Sequence, residues 1–232
     1  MADNVFGNPI TDDTLKGMPD YSGKEITRLD RAHVALNMKN AGEKNVNARN
    51  HADKWKKQYG IGCVVYNATG DMIKFHATHD WHGHIGEGPY PQEILNGQWG
   101  AFSHVHTNLA AAGSNAAVVY RGVNNAGSEC DWMLSWSNPF NSIKYDNKVY
   151  TEVGEAGHFD NGWHEISKNL DKGEQNITRT SNGCVSIMST GIDTSPVVEA
   201  ILTLEHADEA KPTTGHAQVL PTVRAIPTSD HA

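Results

Sequence analysis

The sequence has few of the features that mark a nucleic-acid-binding protein. Its 232 residues include 19 lysines and arginines against 27 aspartates and glutamates, which gives a formal net charge of -8. Phosphate binding depends on clustered basic residues. The short basic run Lys54, Lys56 and Lys57 is typical of a solvated helix face. We therefore expect no nucleic-acid partner.

Cysteine is also scarce, and long apolar runs are missing. Cys63, Cys130 and Cys184 are odd in number and far apart, so they fit neither a close-spaced zinc motif nor a closed disulfide framework. The first residues lack the positive end and the apolar run of a secretory signal, and no later segment is long enough to span a bilayer. These absences predict free thiols and a cytoplasmic or nucleocytoplasmic protein without a transmembrane segment.

Motifs of known catalytic and nucleotide sites are absent as well. The sequence has no Gly-x-Ser-x-Gly elbow, and its cysteines lie outside protease-like motifs. The glycines around Gly86 and Gly97 do not follow nucleotide fingerprints. The sequence therefore favours a protein that is not an enzyme, although a metal-dependent enzyme stays open as the alternative below.

The N-terminal part of the chain carries helix signals. Ser22 and Glu25 match a capping box at the start of a predicted helix over 22–42, which Gly42 should end. A second helix is predicted over 47–59, with Asn47 as its cap and Gly60 as its stop.

From Gly62 onwards the apolar period changes to two, which indicates strands. GCVVYNATGDMIKFHAT predicts two strands around a turn at 69–71, with Ile73, Phe75 and Ala77 on one face. Short strand-like segments separated by turn residues continue to the 190s and 200s. This rhythm is typical of an antiparallel β-sandwich.

These patterns predict a mainly β (α+β) fold with two N-terminal helices on an antiparallel β-sandwich. The predicted organisation is an N-terminal extension over 1–21 and a single domain over 22–206. That domain comprises a helical pair over 22–60 and a sandwich over 61–206. Residues 207–232, rich in Pro, Thr, Ala and Asp, predict a flexible C-terminal tail.

The stretch HATHDWHGHIGEGPYP, residues 76 to 91, is the most unusual segment. His79, His82 and His84, with Asp80 and His76 beside them, could converge on zinc or copper. In an extended backbone His79 would point away from the other two, so a common site requires a turn. The alternative is a long loop at one end of the sandwich, whose polar groups bond to backbone and water.

Aromatic residues in and beside the same stretch suggest another role. Trp81, Tyr90 and Trp99 lie in or near a segment rich in glycine and proline. Their rings could stack on a sugar or hold a choline headgroup by cation–π attraction. Loops on a rigid β scaffold commonly carry recognition, so these residues are the candidate ligand-binding set.

Several longer segments resemble a known family. YNATGD, HDWHGHIG, NGQWGAF, AAVVYRG and CDWMLSWSNP resemble the plant 23 kDa jasmonate-induced protein family, and PITDDTLKGMP and ITRLDRAHVALNMKN are similar to its N-terminal segment. The resemblance covers about residues 5 to 205 in order. It implies a protein that accumulates in response to jasmonate and to salt or water stress, with no established enzymatic activity. More remotely, the strand rhythm is similar to the actinoporin-like β-sandwiches, which include the fungal lipid-binding protein nakanori.

Three functional hypotheses follow. The first is a non-enzymatic, jasmonate- and stress-induced plant defence protein that binds a membrane lipid headgroup or a glycan through loops that carry Trp81, Tyr90 and Trp99. The second is a metal-dependent enzyme or metal-binding protein with zinc or copper at His79, His82 and His84. The third is a protein that acts only through another protein. The oligomeric state stays open.

Overall fold

Two β-sheets packed face to face, with helices on both outer faces, make up the structure. The computed structural model describes residues 4–56, 60–107, 113–140 and 146–210. The α-helices in these ranges are α1 (Asp12–Lys16), α2 (Arg28–Asn37), α3 (Lys44–Trp55) and α4 (Trp163–Asp171), and short 3-10 helices lie at Pro19–Tyr21 and Ala41–Glu43. The prediction of a mainly β sandwich with N-terminal helices is confirmed.

Sheet A contains seven strands within the described ranges. They run in the order β1-β6-β2-β12-β11-β10, with β4 paired to β6 beside β1. Their bounds are β1 (Val5–Phe6), β2 (Ile61–Ala68), β4 (His84–Ile85), β6 (Trp99–Val105), β10 (Asn176–Ser181), β11 (Cys184–Ser189) and β12 (Val197–Leu204). The pairs are antiparallel except that β12 lies parallel to β2.

Sheet B contains five strands in the part of the chain that the structure describes. Their order is β5-β3-β7-β8-β9, and each pair is antiparallel. Their bounds are β3 (Ile73–His82), β5 (Glu93–Ile94), β7 (Ser114–Val123), β8 (Glu129–Asn138) and β9 (Lys148–Glu155). Trp132 and Trp136 of β8 are buried in the space between the two sheets, as their alternation with Leu134 indicates.

Strand β2 is buried along its whole length. Cys63 and Val65 pack in the core between the sheets, whereas Val64 and Tyr66 pack beneath α2 and α3. A strand that is covered on both faces needs apolar residues at nearly every position. The segment IGCVVYNA meets this requirement and places sheet A between the second sheet and the N-terminal helices.

The first long helix is shorter than the sequence predicts. Thr27, not Ser22, caps α2: the Asp30 backbone N–H donates to the Thr27 hydroxyl at 3.2 Å, and the Thr27 backbone N–H donates to the Asp30 carboxylate at 2.8 Å. The sequence SGKEITRLD offers two overlapping capping boxes, Ser22 with Glu25 and Thr27 with Asp30. The second is used, so the predicted boundary at 22 is wrong.

The second predicted helix is shifted towards the N-terminus. Helix α3 begins at Lys44 and ends at Trp55, so the predicted cap at Asn47 lies inside it. Gly42 and Glu43 both adopt positive φ, 64° and 56°, and this reversal separates α3 from α2. The last predicted turn, including Tyr59, falls on residues 57–59, which lie outside the described residues.

The two strands around the turn at 69–71 are present, but they do not form a hairpin. Strand β2 belongs to sheet A and β3 to sheet B, so the turn carries the chain from one sheet to the other. Buried Asn67 holds it in place. Its amide nitrogen donates to the carbonyls of Asp71 and Ile94 at 2.8 and 2.7 Å, and its amide oxygen accepts from the backbone and hydroxyl of Thr69.

The prediction that residues 76–91 form one long loop is wrong for its first part, because β3 continues to His82. Its register against β7 shifts twice, between Phe75 and Ala77 and between Asp80 and His82. Each bulge adds one residue and changes the alternation of faces. Phe75 therefore contacts the core between the sheets while Ala77 packs near α4, so Ile73, Phe75 and Ala77 do not share one face.

Both predicted terminal segments contact the domain where the structure describes them. In the predicted extension over 1–21, β1 pairs with β6, and Leu15 and Tyr21 are buried beside α2 and α3. At the other end Ala207 is buried, and its carbonyl lies 2.7 Å from Nδ1 of His33. Most of the predicted flexible tail, residues 211–232, lies outside the described residues.

The role of Asn67 in the crossing between the sheets gives a test of the fold. Replacing Asn67 with alanine removes its hydrogen bonds and leaves buried carbonyls without a donor, so the free energy of unfolding should fall by about 2–4 kcal/mol. The exposed Asn50→Ala on α3 is the matched control and should change it by less than about 0.5 kcal/mol. Equal urea midpoints for the two variants would contradict this account of the turn.

Candidate functional site

Trp99 does not lie on a loop surface. It starts β6 in sheet A and is 1% exposed, packed beneath the N-terminal helices. Its indole N–H donates to the carbonyl of Lys39 at 2.8 Å, and its ring lies 4.8 Å from that of Tyr66. The expectation that Trp81, Tyr90 and Trp99 line one surface is wrong, because sheet A is covered by helices at this position.

Trp81 lies on the other side of the molecule, on the outer face of sheet B. It is half-buried and joins an aromatic cluster with His79 and Trp163, the first residue of α4. The rings of His79 and Trp163 are stacked, with centroids 5.0 Å apart and an interplanar angle of 5°. Trp81 meets His79 edge-on at 5.1 Å. We call these three residues the aromatic cluster.

The three histidines do not converge. His79 belongs to the aromatic cluster, His82 pairs with Asn115 of β7 in sheet B, and His84 pairs with Val105 of β6 in sheet A. Gly83, with a φ of 95°, turns the chain between the two sheets. Within the described ranges, no group of three or more histidine, cysteine, aspartate or glutamate side chains is arranged to hold a metal ion. The predicted common metal site is therefore not formed by these residues.

His76 also leaves the predicted cluster. At the first bulge of β3 its Nε2 lies 2.8 Å from a carboxylate oxygen of Asp160 and 3.0 Å from Nη2 of Arg121. Arg121 binds buried Asp131 through two hydrogen bonds of 2.7 and 2.8 Å. The hydrogen bond with Asp131 raises the pKa of Arg121. His76 thus belongs to an ion network that ties the loop before α4 to sheet B.

Asp80 makes a contact that the sequence does not reveal. Its carboxylate lies 3.2 Å from Nε2 of His104, and Nδ1 of His104 lies 2.9 Å from the hydroxyl of Ser114. His104 comes from sheet A, whereas Asp80 and Ser114 come from sheet B. His104 is 24 positions from Asp80 and 10 from Ser114 along the chain, so no local sequence motif predicts these contacts.

The side chains of Ser114, His104 and Asp80 contact one another in the same order as those of a hydrolase triad. The burial of Ser114 and His104 nevertheless indicates a structural role. Ser114 and His104 are both fully buried, and the Ser114 hydroxyl accepts the indole N–H of Trp136 at 3.0 Å. A nucleophile must reach its substrate and lie beside a site for the reacting atom. Buried Ser114 meets neither condition, so we assign these residues to the polar link between the sheets.

Tyr90 lines an open cavity of about 640 Å³ between β1, the start of β3 and residues 89–93. Its ring is stacked on Phe75 at 5.3 Å with an interplanar angle of 20°, and its other contact is Phe102 at 4.8 Å. The hydroxyl of Thr78 donates to the Tyr90 oxygen at 3.1 Å and fixes the ring. Phe75 and Tyr90 form the aromatic floor of what we call the Tyr90 cavity.

The rim of the Tyr90 cavity carries opposite charges. The ammonium group of Lys74 lies 3.5 Å from the carboxylate of Glu93, and these side chains are 58% and 56% exposed. Burial raises the pKa of Tyr90, so its phenol stays protonated at neutral pH. The cavity therefore offers an uncharged aromatic floor beneath one cation and one anion that both face water.

Comparison with known proteins gives a consistent family. The model of the family described as Nakanori-like protein matches residues 6–205. A 23 kDa jasmonate-induced protein of Hordeum vulgare is 48% identical over 164 residues, which are 68% of this chain and 76% of that protein. A jasmonate-induced protein homolog of Atriplex canescens is 32% identical over 130 residues, 55% of this chain and 69% of that protein.

Among solved structures, the crystal structure of the lipid-binding protein Nakanori is similar over most of its length. It has a TM-score of 0.76 and 30% sequence identity, and the match covers 85% of this chain and 98% of that one. In the part of the chain that the structure describes, no helix is long and apolar enough to cross a membrane.

The different positions of Trp99 and Trp81 can be checked by substitution. Trp99→Ala should lower the free energy of unfolding by about 3–5 kcal/mol, because it opens a large cavity beneath the helices. Trp81→Ala removes a half-buried ring and should lower it by about 1 kcal/mol. Urea unfolding measures both. A larger loss for Trp81→Ala than for Trp99→Ala would contradict the packing described above.

Proposed function

The chain belongs to the Nakanori-like protein family, and on this premise we propose that it is a stress-induced plant protein that acts by binding a lipid headgroup, without catalysis. The resemblance to jasmonate-induced proteins supports the stress response, and the similarity to a solved lipid-binding protein supports the lipid ligand. In the Ser114–His104–Asp80 arrangement, the serine and the histidine are fully buried, which also favours binding over chemistry.

We place the headgroup in the Tyr90 cavity. The observation that carries this assignment is that the stacked pair of Phe75 and Tyr90 and the ion pair of Lys74 and Glu93 line one cavity. Its volume of about 640 Å³ lies within the range of small-ligand pockets, about 300–1,000 Å³. Of the three predicted ligand-binding residues, Tyr90 is the one that lines this cavity.

The chemistry of the cavity fits a zwitterionic phosphocholine headgroup. A quaternary ammonium is attracted to aromatic faces and to carboxylates, so it would lie over the floor beside Glu93. The phosphate would lie against the ammonium of Lys74. An exposed ion pair contributes little to stability, about 0–1 kcal/mol. Lys74 and Glu93 can therefore separate and each bind one charge of the headgroup with little loss of stability.

The aromatic cluster favours a second candidate, a glycan. Trp81 and Trp163 are half-buried on the outer face of sheet B, where one face of an indole can pack on a sugar ring. A glycan array would test it with Trp81→Ala and Trp163→Ala. Loss of a glycan signal in these variants would favour this candidate, whereas an array without signal for the unmodified protein would remove it.

The lipid proposal predicts selective binding to phosphatidylcholine vesicles in a flotation assay. Lys74→Gln and Glu93→Gln each remove one charged contact and should weaken binding about five- to tenfold, equivalent to about 1–1.4 kcal/mol. Tyr90→Leu, which removes the aromatic floor, should weaken it further. Phosphatidylserine vesicles carry an ammonium that is not quaternary and an added carboxylate, so they should bind less.

The exposed pair Glu165 and Lys168 on α4 provides matched controls, because its atoms are 2.8 Å apart and its charges are the same. Glu165→Gln and Lys168→Gln should bind phosphatidylcholine vesicles as the unmodified protein does. If all four charge variants bind equally well, the headgroup lies elsewhere. If the unmodified protein binds no vesicle, the lipid proposal is wrong.

A further inference from the structure

Two of the three cysteines touch each other across the sandwich. Cys130 lies in β8 of sheet B and Cys184 in β11 of sheet A, and they are 54 positions apart in sequence. Their sulfur atoms are 3.6 Å apart, and both residues are fully buried. This distance is a direct contact between thiols, which the spacing of the cysteines along the chain does not reveal.

Side chains of the two sheets meet at more than one position in this region. Facing sheets generally pack about 10 Å apart, whereas a disulfide needs Cα atoms about 5.5 Å apart. A second contact nearby shows the same approach: the hydroxyl oxygens of Thr151 on β9 and Ser186 on β11 are 2.6 Å apart. Side-chain contacts therefore link the two sheets at both positions.

We propose that Cys130 and Cys184 are a site of reversible oxidation, at which a peroxide closes a disulfide between the two sheets. One thiol, as its thiolate, attacks a peroxide oxygen and becomes a sulfenic acid, with loss of water. The sulfur of the second thiol then attacks the first sulfur and displaces a second water. In sum, two thiols and one hydrogen peroxide give one disulfide and two waters. The site is independent of the proposed lipid function.

A cleft at the end of the sandwich lies close to Cys184. It has a volume of about 480 Å³ and lies between the turn at 124–126 and the turn at Asn182 and Gly183. Gly183 immediately precedes Cys184, and the backbone of Asn125 hydrogen-bonds to the Cys184 sulfur. The amide groups of Asn124 and Asn182 join the turns at 3.1 Å. Separation of these turns would open the cleft onto the thiols.

The closed state protects the thiols. The contact with Cys130, and then burial, raise the pKa of Cys184, and the thiolate is the species that reacts with peroxide. Oxidation should therefore be slow while the two turns are joined and should follow their opening. A site with this chemistry responds to sustained oxidation and stays reduced under brief exposure.

The test uses the full-length protein, reduced and then incubated with hydrogen peroxide. After unfolding, alkylation and proteolysis, mass spectrometry should find the Cys130 peptide linked to the Cys184 peptide, while Cys63 is alkylated. In a parallel experiment the protein is refolded from denaturant with oxidised glutathione, so that burial of the two thiols does not limit their oxidation. Oxidised protein should melt on the order of 5–10 °C higher than reduced protein, because the bond constrains the unfolded chain. A dithiol reductant should reverse the shift.

Cys63 is the internal control, since it is equally buried in the same core. Cys63→Ala should keep the linked peptides and the rise in Tm, whereas Cys130→Ala and Cys184→Ala should lose both. Pairing that involves Cys63, or sulfinic acid in place of the disulfide, would overturn the proposal. So would full alkylation of Cys130 and Cys184 after both peroxide treatment and refolding, and that result needs no variant to fold.

Discussion

The burial of β2 on both faces is the constraint on which the rest of the structure depends. One face of this strand closes the core between the sheets, and the other supports α2 and α3. Because sheet A is enclosed there, the aromatic rings that its strands carry in this region, such as that of Trp99, serve packing. By contrast, Phe75 at the edge near β1 and β5, where the Tyr90 cavity opens, and Trp81 on the outer face of sheet B are partly exposed.

Much of the fold could be predicted from local patterns. The change of period at Gly62, the capping boxes and the turn residues indicate helices followed by antiparallel strands, and the sandwich follows from them. The errors arise where a local pattern has two solutions. SGKEITRLD holds two capping boxes, and the structure uses the second. The turn at 69–71 looks like a hairpin, but the bonds of Asn67 direct β3 into the other sheet.

The candidate site was harder to predict, because it depends on contacts between distant segments. Two bulges change the face of β3 on which the later residues lie, so an uninterrupted period of two places Ala77 on the wrong face. The sequence suggests Tyr90 because it is an aromatic residue beside a turn, whereas its neighbours Phe75, Lys74 and Glu93 in the cavity have no such signal. The contact of Cys130 with Cys184, and that of Asp80 with His104, require the assembled sandwich.

The position of β12 has a consequence for synthesis of the protein. In sheet A this strand lies between β2 and β11, and it alone joins the early strands β1, β2 and β6 to the late strands β10 and β11. During synthesis, the edge of β2 that pairs with β12 therefore stays unpaired until residues near Leu204 have left the ribosome. An exposed apolar strand edge of this kind invites association between chains. Nascent copies are thus most in need of a chaperone from the time that β2 emerges until β12 pairs with it.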